Sequence, residues 1–200
     1  SKCEAQGIKP ISGSSLKVIF DEDDTSHELL LLAKNNNGHK NLMKVISNAH
    51  NNFKYQNPII SFKDLQEFKD DVIAISGGKD SHLFELIKRK KNNEVLNRID
   101  KFLKIFKDDF FIEVQKTNRS DEHEYFSNIL PLACSKGVPL IATNDVLFSE
   151  PDDYEVHETK VCINTGRTLN DPNREKIFSN EQYFKSPKEM QDLFIGFDEL

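Results

Sequence analysis

Apolar residues recur along this chain with two different periods, and the switches between them outline its elements. Leu16–Phe20 reads as a strand, and an acidic polar turn is expected over Asp21–Ser26. Leu29–Leu32 is a continuous apolar run, the pattern of a strand covered on both faces. Val72–Ile75, Phe110–Val114 and Pro139–Thr143 are further short apolar stretches bounded by turn residues. Between them the spacing changes to three and four. Asn36-Asn37-Gly38 opens a predicted helix with Leu42, Val45, Ile46 and Ala49 on one face. Asn51–Pro58 is an expected loop, and Ser61 to Asp64 has the form of a capping box before a short helix to Phe68. Ser81–Lys90 and Glu94–Phe106 predict two helices, the second buried through Val95, Ile99, Phe102, Leu103 and Phe106. Ser120 is the expected cap of a long helix that closes at Gly137. Asp153–Asn164 predicts another, closed near Gly166, and a turn-rich segment follows over Leu169–Arg174. Ser186-Pro187-Lys188-Glu189 places a capping residue, a first-turn Pro and a capping-box Glu at the start of a last helix. Strands alternating with helices define an α/β fold with a largely parallel sheet or barrel.

Composition narrows this picture. The 200 residues suffice for one domain with a sizeable core, and 15 Phe supply much of it. The net charge of −6 argues against nucleic-acid binding by this chain alone. Three scattered cysteines, Cys3, Cys134 and Cys162, form neither a zinc pattern nor a disulfide framework, which suits a reducing, cytoplasmic setting. No apolar run approaches a membrane span. Glu4-Ala5-Gln6-Gly7 reads as the last turn of a helix, so the start at Ser1 is expected to be a cut.

Few residues stand out chemically. Asp145 follows the apolar run Leu140-Ile141-Ala142, and chemistry in α/β proteins gathers where strands end. Glu113 alternates with Ile112 and Val114, so it requires a wet face or a polar partner. The two could pair on a divalent cation, although ion pairs and solvated carboxylates are commoner. Ser76-Gly77-Gly78 could cradle an anion but lacks P-loop spacing, and a tight turn is the better reading. Lys88–Lys91 reads as a solvated helix end. The six histidines show no ligand spacing, and His157 is expected to support a neighbouring ligand or to be structural rather than to ligate.

Several segments in order carry a resemblance: GIKPISGSSLKV (7–18), LLLLAKNNNGHKNLMKVIS (29–47), VIAISGG (72–78), PLIATNDVLF (139–148), HETKVCINTGRTLNDPNR (157–174) and FKSPKEMQDLF (184–194). Together they resemble the polymerase-and-histidinol-phosphatase (PHP) domain of bacterial DNA polymerase III alpha subunits. The resemblance runs over essentially the whole chain. It implies a PHP-type seven-stranded α/β barrel, incomplete at the N-terminus here, with residues about 1–175 in the barrel and about 176–200 starting a connection. The first strands, with a His-x-His and an acidic ligand, and the polymerase core beyond Leu200 are expected to lie outside the chain.

Metal-binding members of that family have ligands at positions held here by Ser15, Glu28, Thr117 and Leu147. Asp145 alone is unaltered, and His27 stands one place off Glu28, on the other side of a strand. Ser15, Glu28, Glu113, Thr117, Asp145 and Leu147 are thus expected to be a vestigial metal site, with no catalytic residue and no metal. The resemblance implies a scaffold that docks a proofreading exonuclease subunit within a replicase. Its parent would be a magnesium-dependent DNA-directed DNA polymerase that meets DNA through the absent core. The alternative is a metal-dependent phosphoesterase or 3′–5′ exonuclease. A stand-alone histidinol-phosphate phosphatase fails on Thr117 and Leu147. Losing the first strands would leave a sheet edge open to non-native dimerisation.

Overall fold

A computed structural model describes residues 2–20, 25–51 and 58–196. The expected turn at Asp21–Ser26 and loop at Asn51–Pro58 lie largely outside the described residues. The elements run α1 (Lys2–Ala5), β1 (Gly13–Ile19), β2 (Ser26–Ala33), α2 (Asn36–Asn51), β3 (Ile59–Ser61), β4 (Val72–Ile75), α3 (His82–Lys88), α4 (Asn92–Phe106), β5 (Phe110–Gln115), α5 (Glu122–Lys136), β6 (Leu140–Thr143), α6 (Tyr154–Thr165) and α7 (Pro187–Leu193). Short 3-10 turns cover Asp64–Phe68, Gly78–Asp80, Lys107–Asp109 and Pro151–Asp153.

Among the described residues the strands form a six-stranded sheet in the order β3-β1-β2-β4-β5-β6. β1 pairs parallel with β3 and antiparallel with β2, β2 antiparallel with β4, and β4, β5 and β6 are parallel neighbours. Only β2 therefore runs against the rest. This is a mixed α/β fold, and no ladder joins β3 to β6 among the described residues.

The period-two alternation divides the sheet into two unlike faces. Leu16 and Val18, Leu29 and Leu31, Val72 and Ala74, and Phe110, Ile112 and Val114 are buried in one core cluster with residues of α2, α3, α4 and α5. Phe102 stacks on Phe110 at 4.5 Å and meets Phe62 edge-on at 5.1 Å within it. The opposite face carries Ser15, Lys17, Glu28, Leu30, Glu113 and Gln115, aligned by the pairs Ser15–Leu30, Lys17–Glu28 and Leu30–Ile75. The expectation that the Leu29–Leu32 run is covered on both faces is thus corrected. Leu29 and Leu31 are buried, whereas Leu30 and Leu32 are only half-buried on the site's face.

Local rules account for most element ends. Asn35 accepts from the backbone N–H groups of Asn37 and Gly38 at 2.8 and 3.1 Å and so caps α2. Gly7, Gly137 and Gly166, with φ of 71°, 65° and 66°, follow α1, α5 and α6 as left-handed stops. Ser81 accepts from Phe84 N at 3.1 Å, and Ser186 with Glu189 completes the capping box of α7. Ser120 does not cap α5. Asp121 takes that place with φ 73° and no side-chain cap bond, its carboxylate instead accepting from Lys88 Nζ at 2.8 Å. At the start of α6, Pro151–Asp153 forms a 3-10 turn, so the α-helix begins at Tyr154.

Candidate functional site

The parallel strands β4, β5 and β6 end at one rim, and the antiparallel β2 presents Glu28 there from its N-terminal half. A cavity of about 190 Å³ opens at this rim, lined by Glu28, Leu30, Gly77, Lys79, Asp80, Glu113, Gln115, Arg119, Asn144, Asp145 and Val146. This is the strand-end position where α/β folds place their chemistry.

Three of the six expected positions line this cavity: Glu28, Glu113 and Asp145. Glu113 is buried, and its Oε1 accepts from Gln115 Nε2 at 3.1 Å and from the Thr143 hydroxyl. Burial raises its carboxyl above the usual range, the Thr143 and Gln115 bonds oppose this, and the charges of Glu28 and Asp145 raise it further. Glu28 is bound by the Ser15 hydroxyl and lies 3.7 Å from Lys17 Nζ. His27 points to the opposite face, its Nε2 3.2 Å from Glu85 Oε2.

Asp145 is held by two donors, Arg119 Nη1 and Gln182 Nε2, each 2.9 Å from Oδ2. Thr117 is fully buried and turned away, its amide and hydroxyl donating to the Glu122 carboxylate at 2.7 and 2.5 Å. Leu147 is exposed outside the cavity lining, and its backbone amide donates to Gln182 O at 2.8 Å.

Arg119, Glu122 and Gln182 were not singled out by sequence reasoning. Gln115 could have been, standing two residues beyond Glu113 on the same strand. Arg119 lies in a loop and gives no periodic signal. Its guanidinium side chain is nevertheless only 9% exposed. It donates from Nε to Thr117 at 2.8 Å and to Glu122 at 3.1 Å, and from Nη2 to Gln115 at 2.7 Å. Gln182 reaches the site because the segment around it runs beside the β6 exit. Phe148 and Tyr183 form a bridge there, and Asn144 Nδ2 donates to Tyr183 O at 2.6 Å.

The other flagged residues have structural partners. Gly77 and Gly78 adopt φ of 87° and 50°, and a Cβ on Gly77 would stand 2.4 Å from the Glu28 carbonyl oxygen. In the basic run, Lys88 pairs with Asp121 at 2.8 Å, Lys91 with Glu94 at 2.9 Å, and Arg89 with Glu85. The ring of His157 packs between Phe148 and Phe178. In the Gly166–Arg174 motif, Gly166 stops α6, Asp171 accepts from Asn173 N at 2.9 Å, and Arg174 pairs with buried Glu158.

A divalent cation needs several convergent oxygen or nitrogen ligands. Among the described residues no group of three His, Cys, Asp or Glu is arranged to hold a metal ion. The cavity's residues do not fit one. Thr117 and Leu147 point elsewhere, and a guanidinium already sits on Asp145.

Residues 1–117 match the sequence profile of the PHP domain. The chain belongs to the PHP domain family. Among its relatives within it are DNA polymerase III alpha subunits. That of Pasteurella multocida is 38% identical over 189 residues, covering 94% of this chain and 16% of the relative. Those of Pseudomonas aeruginosa and Escherichia coli K12 are each 36% identical, over 195 and 196 residues, covering 96% of this chain and 17% of the relative. The chain thus spans about one sixth of the curated relatives it matches. Among the described residues no helix is long and apolar enough to cross a membrane.

Proposed function

We propose that this chain is the PHP domain of a DNA polymerase III alpha subunit in which hydrolase chemistry has been replaced by a scaffold role. The domain docks the proofreading exonuclease subunit and packs against the polymerase core. The whole polypeptide is a DNA-directed DNA polymerase that uses magnesium, works with other replicase subunits in the cytoplasm, and meets DNA through its core. In that polypeptide the sheet closes into a seven-stranded barrel with strands outside this chain, and residues from about 176 lead toward the core. The reading is carried by one observation. The positions where metal-binding family members hold ligands are occupied by Ser15, Thr117 and Leu147, and two of these face away from the cavity.

The test is association of the full polymerase subunit with its exonuclease partner by surface plasmon resonance. Binding is expected, and binding unchanged in Asp145→Asn is expected with it, because no metal is involved. Absence of any association removes the docking role. A second reading, a metal-dependent phosphoesterase or 3′–5′ exonuclease, draws on Glu28, Glu113 and Asp145 lining one cavity. Stoichiometric manganese together with trimming of DNA 3′ ends would favour it.

A further inference from the structure

The strongest unexplained feature of the molecule is that a family metal site contains a cationic side chain. Arg119 uses three nitrogens to reach four residues. It joins Gln115 at the end of β5, Thr117 just beyond it, Glu122 at the start of α5, and Asp145 beyond β6. Through Asp145 the link extends to Gln182, whose Nε2 donates to the same carboxylate and whose Oε1 accepts from Ser179 N at 2.9 Å. The Ser179 hydroxyl in turn binds the Thr117 carbonyl. One charge therefore ties together the β5 end, the α5 start, the β6 exit and, through Asp145, the segment around Gln182.

A metal ion at strand ends does the same work: it gathers oxygen ligands from separate elements and neutralises their charge. A guanidinium differs in being covalently part of the chain, permanently charged and directional. Its planar fork suits oxygen acceptors spread around it, and each bond to a carboxylate is charge-assisted. A divalent cation entering beside it would meet a like charge at short range. The other carboxylates of the lining are Glu28, Asp80 and Glu113, and among the described residues no three acidic groups are arranged to hold such an ion.

We infer that Arg119 is the built-in cation of this cavity: it replaces the family's metal as cross-link and excludes divalent ions from the site. This rests on the scaffold reading and adds a residue and a mechanism to it. The disagreement between the site and a metal is then a substitution of one cation for another rather than erosion alone.

The experiment measures thermal unfolding of the full chain and of Arg119→Gln and Arg119→Lys, each with and without manganese chloride. Wild type is expected to show no manganese-dependent shift. Arg119→Gln is expected to unfold about 5 °C lower and to regain part of that loss with manganese, since the carboxylates lose their cation. Arg119→Lys keeps the charge and loses the fork, so a lower Tm with no manganese response is expected. It carries the test by itself if the Gln variant does not fold. A wild-type Tm in either variant overturns the inference, as does a manganese response in the Lys variant. A lowered Tm in the Gln variant that manganese leaves untouched overturns it too, reducing Arg119 to a hydrogen-bond donor. Failure here with a manganese-silent wild type leaves the scaffold reading intact, whereas stoichiometric manganese on wild type removes that reading itself.

Discussion

Glu113 is buried where its charge is costly. Desolvation and the neighbouring carboxylates raise its carboxyl, and two hydrogen bonds to one oxygen only partly offset them. A group whose folded pKa is raised binds its proton more tightly in the folded state. Its favourable contribution is complete below the unfolded carboxylate pKa and is lost as pH rises through the folded value. Glu113→Gln keeps the accepting oxygen and removes the charge. Its Tm is predicted to equal or exceed wild type at neutral pH, with the advantage fading as pH falls toward about 4. A pH series of melting curves checks this, and a Gln variant less stable than wild type at neutral pH would contradict it. Asp145 sits in a different setting. Half-exposed and held by Arg119 and Gln182, it has a partner for its charge.

At the scale of elements, backbone approach governs as much as side-chain pattern. The N-terminus of α2 sits against the turn that leads into β4. Asp71, with φ 59°, accepts from Asn35 Nδ2 at 2.9 Å and Asn37 Nδ2 at 2.7 Å. Lys34 N donates to the carbonyl of the same residue at 2.9 Å. A Cβ on Gly38 would lie 2.0 Å from the Asp71 carbonyl oxygen, with no flexible side chain to yield. Gly38→Ala must therefore push α2 away from β4. A loss of about 2 kcal/mol is predicted by chemical denaturation; a loss under about 0.5 kcal/mol would mean that helix and turn can separate at little cost. The Asn-Asn-Gly run reads in sequence as a helix start. Its need for glycine comes from the docking, not from the helix.

Across the whole molecule, the helices α2 to α5 share a core with one face of the sheet, and the site lies on the other. Both sheet margins are short, three residues in β3 and four in β6. Unpaired strand margins recruit other strands. The chain by itself is predicted to self-associate through β6, and Ile141→Lys, which puts a charge on that strand, is predicted to weaken it. Light scattering over a concentration series reads both; a monomer at all concentrations would sink the prediction.

Much was legible in the sequence because local physics wrote it there. Val72–Ile75 and the α4 stripe of Val95, Ile99, Phe102 and Phe106 follow from hydrophobic periodicity. The stops at Gly137 and Gly166 follow from left-handed backbone, and the Ser186–Glu189 box from orphan amides. In the motif that carried the resemblance, Gly166 and Asp171 meet local demands, a left-handed helix stop and a turn, whereas Arg174 reaches back sixteen residues to Glu158. Ser120 was misread as a cap because the helix starts one residue later, after Asp121 in a left-handed conformation that residue type alone does not announce. The cavity's chemistry was hidden in another way. Glu28, Glu113 and Asp145 could be picked out singly, but the Asp145 carboxylate is held by Arg119 and Gln182, 26 and 37 positions away along the chain. Sequence spacing determines which face a residue occupies; only the folded chain decides which charge stands opposite it, because Coulomb and hydrogen-bond partners are chosen by distance in space.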